Sequence, residues 1–206
     1  MKLLLSFVLV LLAPLAQAQD TAPDELVKTI AQDVLAIVKQ DKDIQAGNSR
    51  KIANLVESKV LPHFNFTHMT QLAMARNWRL ASPDQQKALT AEFRTLLVRT
   101  YSAALTSYRD QVIEFKPLRA KPEDTEVTVK SEVKQPGTQS IPIDYGMEKT
   151  PTGWKVFDVK VDGVSLVTTY RETFASEVRE HGVDGLIKSL ATKNRDADAK
   201  SGAAKT

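Results

Sequence analysis

The sequence predicts an α+β fold: a four- to five-stranded antiparallel sheet packed by several helices, with a helical lobe at the N-terminus. Three observations carry this. Apolar residues recur at three- and four-residue steps from Leu26 to Tyr108, the period of helices with one buried face. From Val112 to Val161 the period drops to two, and turn residues divide the run, as in consecutive strands. Past Gly163 the helical period returns. Such an order places the helices together on one face of an antiparallel sheet.

The first helix is predicted over 24–39, where Leu26, Val27, Ile30, Val34, Ile37 and Val38 share a face behind Pro23. Proline suits a helix start, because the N–H it lacks would be unpaired there anyway. Gly47-Asn48 breaks the chain, and Ser49 is read as the cap of a second helix carrying Ile52, Leu55, Val56 and Val60. Pro62 ends it. Asn65 can cap a short third helix to about Ala75, and Trp78 falls in a connector. Ser82-Pro83-Asp84-Gln85 combines an N-cap, a proline at the first helical position and the glutamine of a capping box. Leu89, Phe93, Leu96, Leu97, Tyr101, Leu105 and Tyr108 then keep to one stripe. A helix over 83–108 would be about 39 Å long at 1.5 Å per residue.

Strands are predicted over 112–118, 126–133, 140–147 and 154–161. The turn-forming stretches Lys121-Pro122-Glu123-Asp124, Gln135-Pro136-Gly137 and Thr150-Pro151-Thr152-Gly153 separate them. Short loops between consecutive strands give an antiparallel meander. Val127, Val129 and Val133 share a face, as do Ile141, Ile143, Tyr145 and Met147. Pro142 places its strand at an edge or at a bulge, since proline donates nothing to a ladder. Ser165 is read as the cap of a helix bearing Leu166, Val167, Tyr170, Phe174 and Val178, with His181-Gly182 as its stop. Val183, Leu186, Ile187 and Leu190 make a last short helix.

The ends of the chain read differently from its body. Residues 1–18 carry Lys2, an apolar run from Leu3 to Leu15, and Ala16-Gln17-Ala18. That is the pattern of a secretory signal peptide cleaved after Ala18. The chain has no cysteine, so it has neither a lipoprotein anchor nor disulfides. Export to a bacterial periplasm is therefore expected. The formal charge of the 206 residues is +3. From Lys188 onward five basic side chains face two acidic ones, so the excess sits in the tail. The body lacks the basic face that nucleic-acid binding needs. The expected organisation is a leader (1–18), an N-terminal helical lobe (19–78), a body of long helix, sheet and C-terminal helices (79–190), and a disordered basic tail (191–206).

Little in the sequence offers chemistry. Three histidines and no cysteine leave no metal-ligand spacing of the zinc or calcium kind. Gly163-Val164-Ser165 lacks the second glycine of a nucleophile elbow. Glycines are scattered singly, so no phosphate loop exists. Asp144 and Asp158 fall on predicted strands; either is a candidate general base, or a structural ion pair with an arginine such as Arg171.

Two stretches carry a resemblance. Trp154-Lys155-Val156-Phe157-Asp158-Val159-Lys160-Val161-Asp162-Gly163-Val164-Ser165-Leu166-Val167-Thr168-Thr169-Tyr170-Arg171 resembles the signature of the MlaC phospholipid-shuttle (toluene-tolerance auxiliary) family. The stretch from Phe66 through Trp78, Ser82-Pro83-Asp84-Gln85 and Phe93 to Tyr101 is also similar. The family often has glycine where this chain has Ala75. The resemblance implies a cone-shaped, curved sheet of the nuclear-transport-factor-2 type with an apolar pocket. It implies a non-enzymatic periplasmic carrier that holds a diacyl phospholipid as cargo and needs no other cofactor. The implied partners are an inner-membrane ABC transporter complex with MCE domains and an outer-membrane lipoprotein–porin complex. Moving lipid between them maintains outer-membrane lipid asymmetry. A monomer is expected, since a shuttle must be released at both ends of its route.

On this reading the inward positions expected to line the pocket are Leu97, Tyr101, Leu105, Tyr108, Val127, Val129, Ile143, Tyr145, Trp154, Val159 and Leu166. Trp154 and Val159 have opposite parity, so both face inward only if their strand carries a bulge. Two rival readings remain at this point. One is a small cone-fold isomerase or hydratase with Asp144 or Asp158 as base; the other is an interaction module with a solid core.

Overall fold

The computed structural model describes residues 21–107 and 110–203. The expected leader lies outside them, as does Tyr108. Helix α1 spans Pro23–Gln40, with Asp24 and Glu25 in its first turn and Lys39 in its last, charges that complement the helix dipole. Asp41 then ends α1 and starts the short α2, Lys42–Gln45; its Oδ1 accepts from the N–H groups of Asp43 and Ile44. Helix α3 spans Ser49–Leu55, and its cap is Asn48, not Ser49. Asn48 Oδ1 accepts from Lys51 N at 3.2 Å, which leaves Ser49 inside the first turn. The chain continues through a π-helical turn, Val56–Val60, and a 3-10 turn, Leu61–His63. Pro62 therefore sits inside the turn that ends the segment.

Helix α4, Phe66–Met74, is capped as expected: Asn65 Oδ1 accepts from His68 N at 3.1 Å. A 3-10 segment, Ala75–Leu80, leads to α5, Pro83–Ser102. Its capping box is complete, with Gln85 N donating to Ser82 Oγ and Ser82 N to Gln85 Oε1. The expected run to Tyr108 is corrected: α5 stops at Ser102 and a 3-10 turn, Ala103–Ser107, follows. Hydroxyls of Thr100 and Ser102 donate back to the carbonyls of Leu96 and Val98. Such back-bonding competes with the ladder and bends helices.

Among the described residues five strands form one sheet in sequence order: β1 Val112–Phe115, β2 Glu126–Lys134, β3 Ile141–Thr150, β4 Gly153–Val161 and β5 Val164–Ser165. All neighbours are antiparallel. Strand β3 is central, so Pro142 is not on an edge. Its carbonyl accepts from Asp162 N at 2.9 Å, just past the end of β4. The donor that Pro142 lacks would thus face the strand's end, where the ladder is already finishing. The bulge is in β4: Met147 pairs with Val156 but Gly146 with Asp158, leaving Phe157 extra. Phe157 lies against Gly146, where an added Cβ would come within 3.2 Å of its ring.

Ser165 belongs to β5, not to a helix start, yet it still caps. Its Oγ accepts from Val167 N and Thr168 N, opening the 3-10 turn Thr168–Tyr170. Helix α6, Arg171–Ala203, is broken at Gly182 (φ 70°, ψ −177°) where the stop was expected. Its second part runs past the expected limit of the body at residue 190. Asn194 is buried there, and its Nδ2 donates to Glu92 O and Oε2 on α5. The segment from 191 is therefore helical and packed at its beginning. None of the described helices is long and apolar enough to cross a membrane.

Three apolar clusters hold these elements. Met74, Leu89, Phe93, Phe174, Leu186 and Leu190 join α4, α5 and α6. Val34, Val38, Ile44, Ile52 and Leu55 join α1, α2 and α3. Val27 of α1 joins Val129, Met147 and Val156 of the sheet. The N-terminal helices thus share a core with the sheet.

Candidate functional site

Between the helices and the sheet lie two adjoining cavities of about 260 Å³ and 200 Å³. The larger is enclosed by the π-turn residues Val56 and Val60 with Leu61, by Phe64, Phe66 and Met69, by Leu97, Val98, Tyr101, Ser102 and Leu105, and on the sheet by Tyr145, Val159 and Leu166. The smaller is roofed by α1, through Leu26, Val27, Ile30, Ala31, Val34 and Leu35, and floored by Ile113, Met147 and Val156. Val60, Phe64, Leu105 and Tyr145 line both, so these four side chains are the partition.

The local structure explains the shape. A π turn widens the helix and turns successive side chains differently from an α-helix, and here it directs Val56 and Val60 inward. Phe64 is fixed by a parallel bridge to Val156. Beside it, Asn65 N donates to Val156 O at 2.8 Å, and Lys155 Nζ donates to Pro62 O at 2.6 Å. These bonds pin the partition to β4. The bulge at Phe157 restores both Val156 and Val159 to the inner face.

Polar groups at the walls are few. Burial pushes the Tyr101 phenol up to about 12, and its neighbour Tyr170, to which it is hydrogen-bonded, adds to the shift. Tyr145 is also pushed up by burial, against which its hydrogen bond to Ser131 acts. His63, on the smaller cavity, is pushed down by burial and then by Lys155. Near neutrality, therefore, both phenols are uncharged.

Of the positions expected from sequence, Leu97, Tyr101, Leu105, Tyr145, Val159 and Leu166 line the larger cavity. Val127, Val129, Ile143 and Trp154 do not. Val129 is fully buried in a cluster with Met147, against which Val127 and Trp154 pack. Ile143 lies one register row beyond Tyr145, opposite Ser131 and Val161. Parity is right for all four, but Ile143 and Trp154 lie in rows beyond the lining ones, while Val129 and Val127 sit in the lining rows, opposite Tyr145 and Met147, on β2, which lines neither cavity. Sequence reasoning missed the π-turn residues, Phe64 and the α1 roof, whose periodicity is that of ordinary core.

Asp144 and Asp158 are not among the lining residues. Asp158 is 6% exposed and accepts from Ser165 Oγ at 2.7 Å. Arg171, offered as its partner, instead donates from Nε to Leu72 O. Among the described residues no group of three or more His, Asp or Glu side chains could hold a metal ion.

A family model described as MlaC protein matches residues 28–192. The chain belongs to the MlaC family. A toluene tolerance protein, ttg2D, of Pseudomonas putida is 25% identical over 199 residues, covering 92% of each chain. The intermembrane phospholipid transport system binding protein MlaC of Haemophilus influenzae is 21% identical over 174 residues, covering 83% of this chain and 81% of its own. The solved structure of a phospholipid-binding protein from Ralstonia solanacearum, in complex with a phospholipid, superposes with a TM-score of 0.78 at 40% identity, covering 85% of this chain and 98% of the other. The α+β architecture of this MlaC-family chain is that of its relative.

Proposed function

We propose that this MlaC-family chain is a phospholipid carrier that holds acyl chains in the paired apolar cavities. The observation that carries the reading is the lining itself. It is almost wholly apolar, and it lies in a fold whose 40%-identical relative was solved with a phospholipid. A diacyl lipid has about 28 methylenes worth roughly 0.8 kcal/mol each out of water, about 22 kcal/mol in all. Crossing an aqueous space unaided is negligible at that cost. A carrier with a comparable apolar lining keeps loading and release near balance, and needs no catalysis and no cofactor beyond the cargo. The proposal includes export to the periplasm after cleavage at Ala18 and transfer between an inner-membrane ABC transporter complex with MCE domains and an outer-membrane lipoprotein–porin complex, preserving outer-membrane lipid asymmetry.

The test is organic extraction of purified protein prepared without detergent, followed by mass spectrometry. Phospholipid close to one molecule per chain is expected. A folded sample free of lipid sinks the reading and returns attention to the carboxylates.

A further inference from the structure

The apolar lining does not stop where the cavities do. On the inner face of the sheet, Tyr145 is continued by Ile143 and Ile141, Val159 by Val161, and Leu166 by Val164, each two residues along its strand. The register sets Ile143 beside Val161 and Val161 beside Val164. These side chains therefore form one strip running from the larger cavity to the end of the sheet. Ile143 and Val161 are half-buried, while Ile141 and Val164 at the margins are 46% and 59% exposed.

Ordinary core packing does not call for this. Large apolar residues at an open sheet end expose surface to water unless something apolar passes over them. We infer that the strip Ile141–Ile143–Val161–Val164 is the lip over which acyl chains enter and leave the cavities. The inference rests on the carrier reading and gives it a route. A methylene leaving the Tyr145–Val159 floor meets Ile143 and Val161 next, not solvent. The outer edge of the strip is β5, which has only two residues and follows the Gly163 turn (φ 78°), so the margin is narrow. Val112 supplies the internal control. It is 58% exposed at the same sheet end, but it alternates with the cavity-lining Ile113 and so lies on the opposite face.

The chain has no cysteine, so single cysteines can be labelled uniquely. Val164→Cys and Val112→Cys are each purified, loaded with a phospholipid bearing a fluorescent acyl chain, and then coupled to a bulky hydrophilic maleimide. Because coupling follows folding and loading, failure to fold cannot mimic the effect. Transfer to phosphatidylcholine vesicles is followed by fluorescence. The Val164 adduct is expected to keep its lipid and transfer it about tenfold more slowly or worse, because polar groups on the path would have to be desolvated. The Val112 adduct is expected to transfer within about twofold of the unlabelled protein, as for a surface position off the path. Ile141→Asp should slow transfer in the same way without emptying the protein. Unchanged transfer from the Val164 adduct overturns the lip, as does equal slowing by the Val112 adduct or loss of lipid on coupling at Val164. If the unlabelled protein takes up no lipid, the carrier reading fails and the lip with it.

Discussion

Ala75 stands at φ 48°, ψ −128° between α4 and the following 3-10 segment. That region is open to glycine and costs an L-residue about 1 kcal/mol or more. The family's frequent glycine at this position therefore has a backbone reason. Ala75 is exposed, so no packing is lost on removing its methyl. Ala75→Gly is expected to stabilise the protein by about 1 kcal/mol, raising the melting temperature; a lower one would show that the turn is not strained. Ser165 works in the other direction. It donates to the buried Asp158 and accepts from two backbone N–H groups. Ser165→Ala leaves that carboxylate and those donors unpaired, and should cost about 1–3 kcal/mol in denaturant unfolding. Tyr101 sets an alkaline limit. Its folded pKa, about 12, lies above the unfolded value of 10.0. Over that window the unfolded chain loses its proton first, so stability that is complete below pH 10 should fall progressively toward pH 12. Melting temperatures of Tyr101→Phe and the parent should therefore converge as the pH rises; a constant gap would count against the assignment.

Elements show where pattern suffices and where it does not. The caps of α4 and α5 were legible because a side-chain oxygen at a fixed offset from backbone N–H groups is a local geometry. The break at Gly182 was legible for the same reason. The end of α5 was not: apolar spacing continues to Leu105 and Tyr108, but the helix gives way to a 3-10 segment after Ser102. That change carries Leu105 to the partition between the cavities. Overpacking separates the two kinds of inner position. Leu105→Trp should fill the partition, leave a folded protein, and lower the lipid recovered by extraction. Val129→Trp, at a fully buried position that lines neither cavity, should instead destabilise by about 1–3 kcal/mol. Equal behaviour of the two variants in thermal melts would mean that the cavity and core assignments are wrong. Strand parity was legible, yet position on the inner face was not. Alternation tells which face a residue is on, and only the elements packed across that face determine which of its positions touch a neighbour and which touch space.

At the scale of the whole molecule, an apolar pocket of about 260 Å³ without cargo leaves its lining short of packing partners. Cargo should therefore act as part of the core. Delipidated protein is expected to melt lower than loaded protein, and adding lipid at 100 times its dissociation constant should restore about 2.7 kcal/mol. Identical melting of the two forms would argue that lipid sits elsewhere. The sequence by itself determined the order of helices and strands, the meander, the caps at Asn65 and Ser82, and, through the stretch from Trp154 to Arg171, the family. Each depends on neighbours within a few residues or on a long specific match. The tertiary structure alone decided the π turn at Val56–Val60, the roof formed by α1, the side of the sheet on which Asp158 finds Ser165, and the positions where the lining is hollow. A residue facing a void and a residue facing a neighbour have the same apolar signature, so the difference exists only once the elements have been brought together.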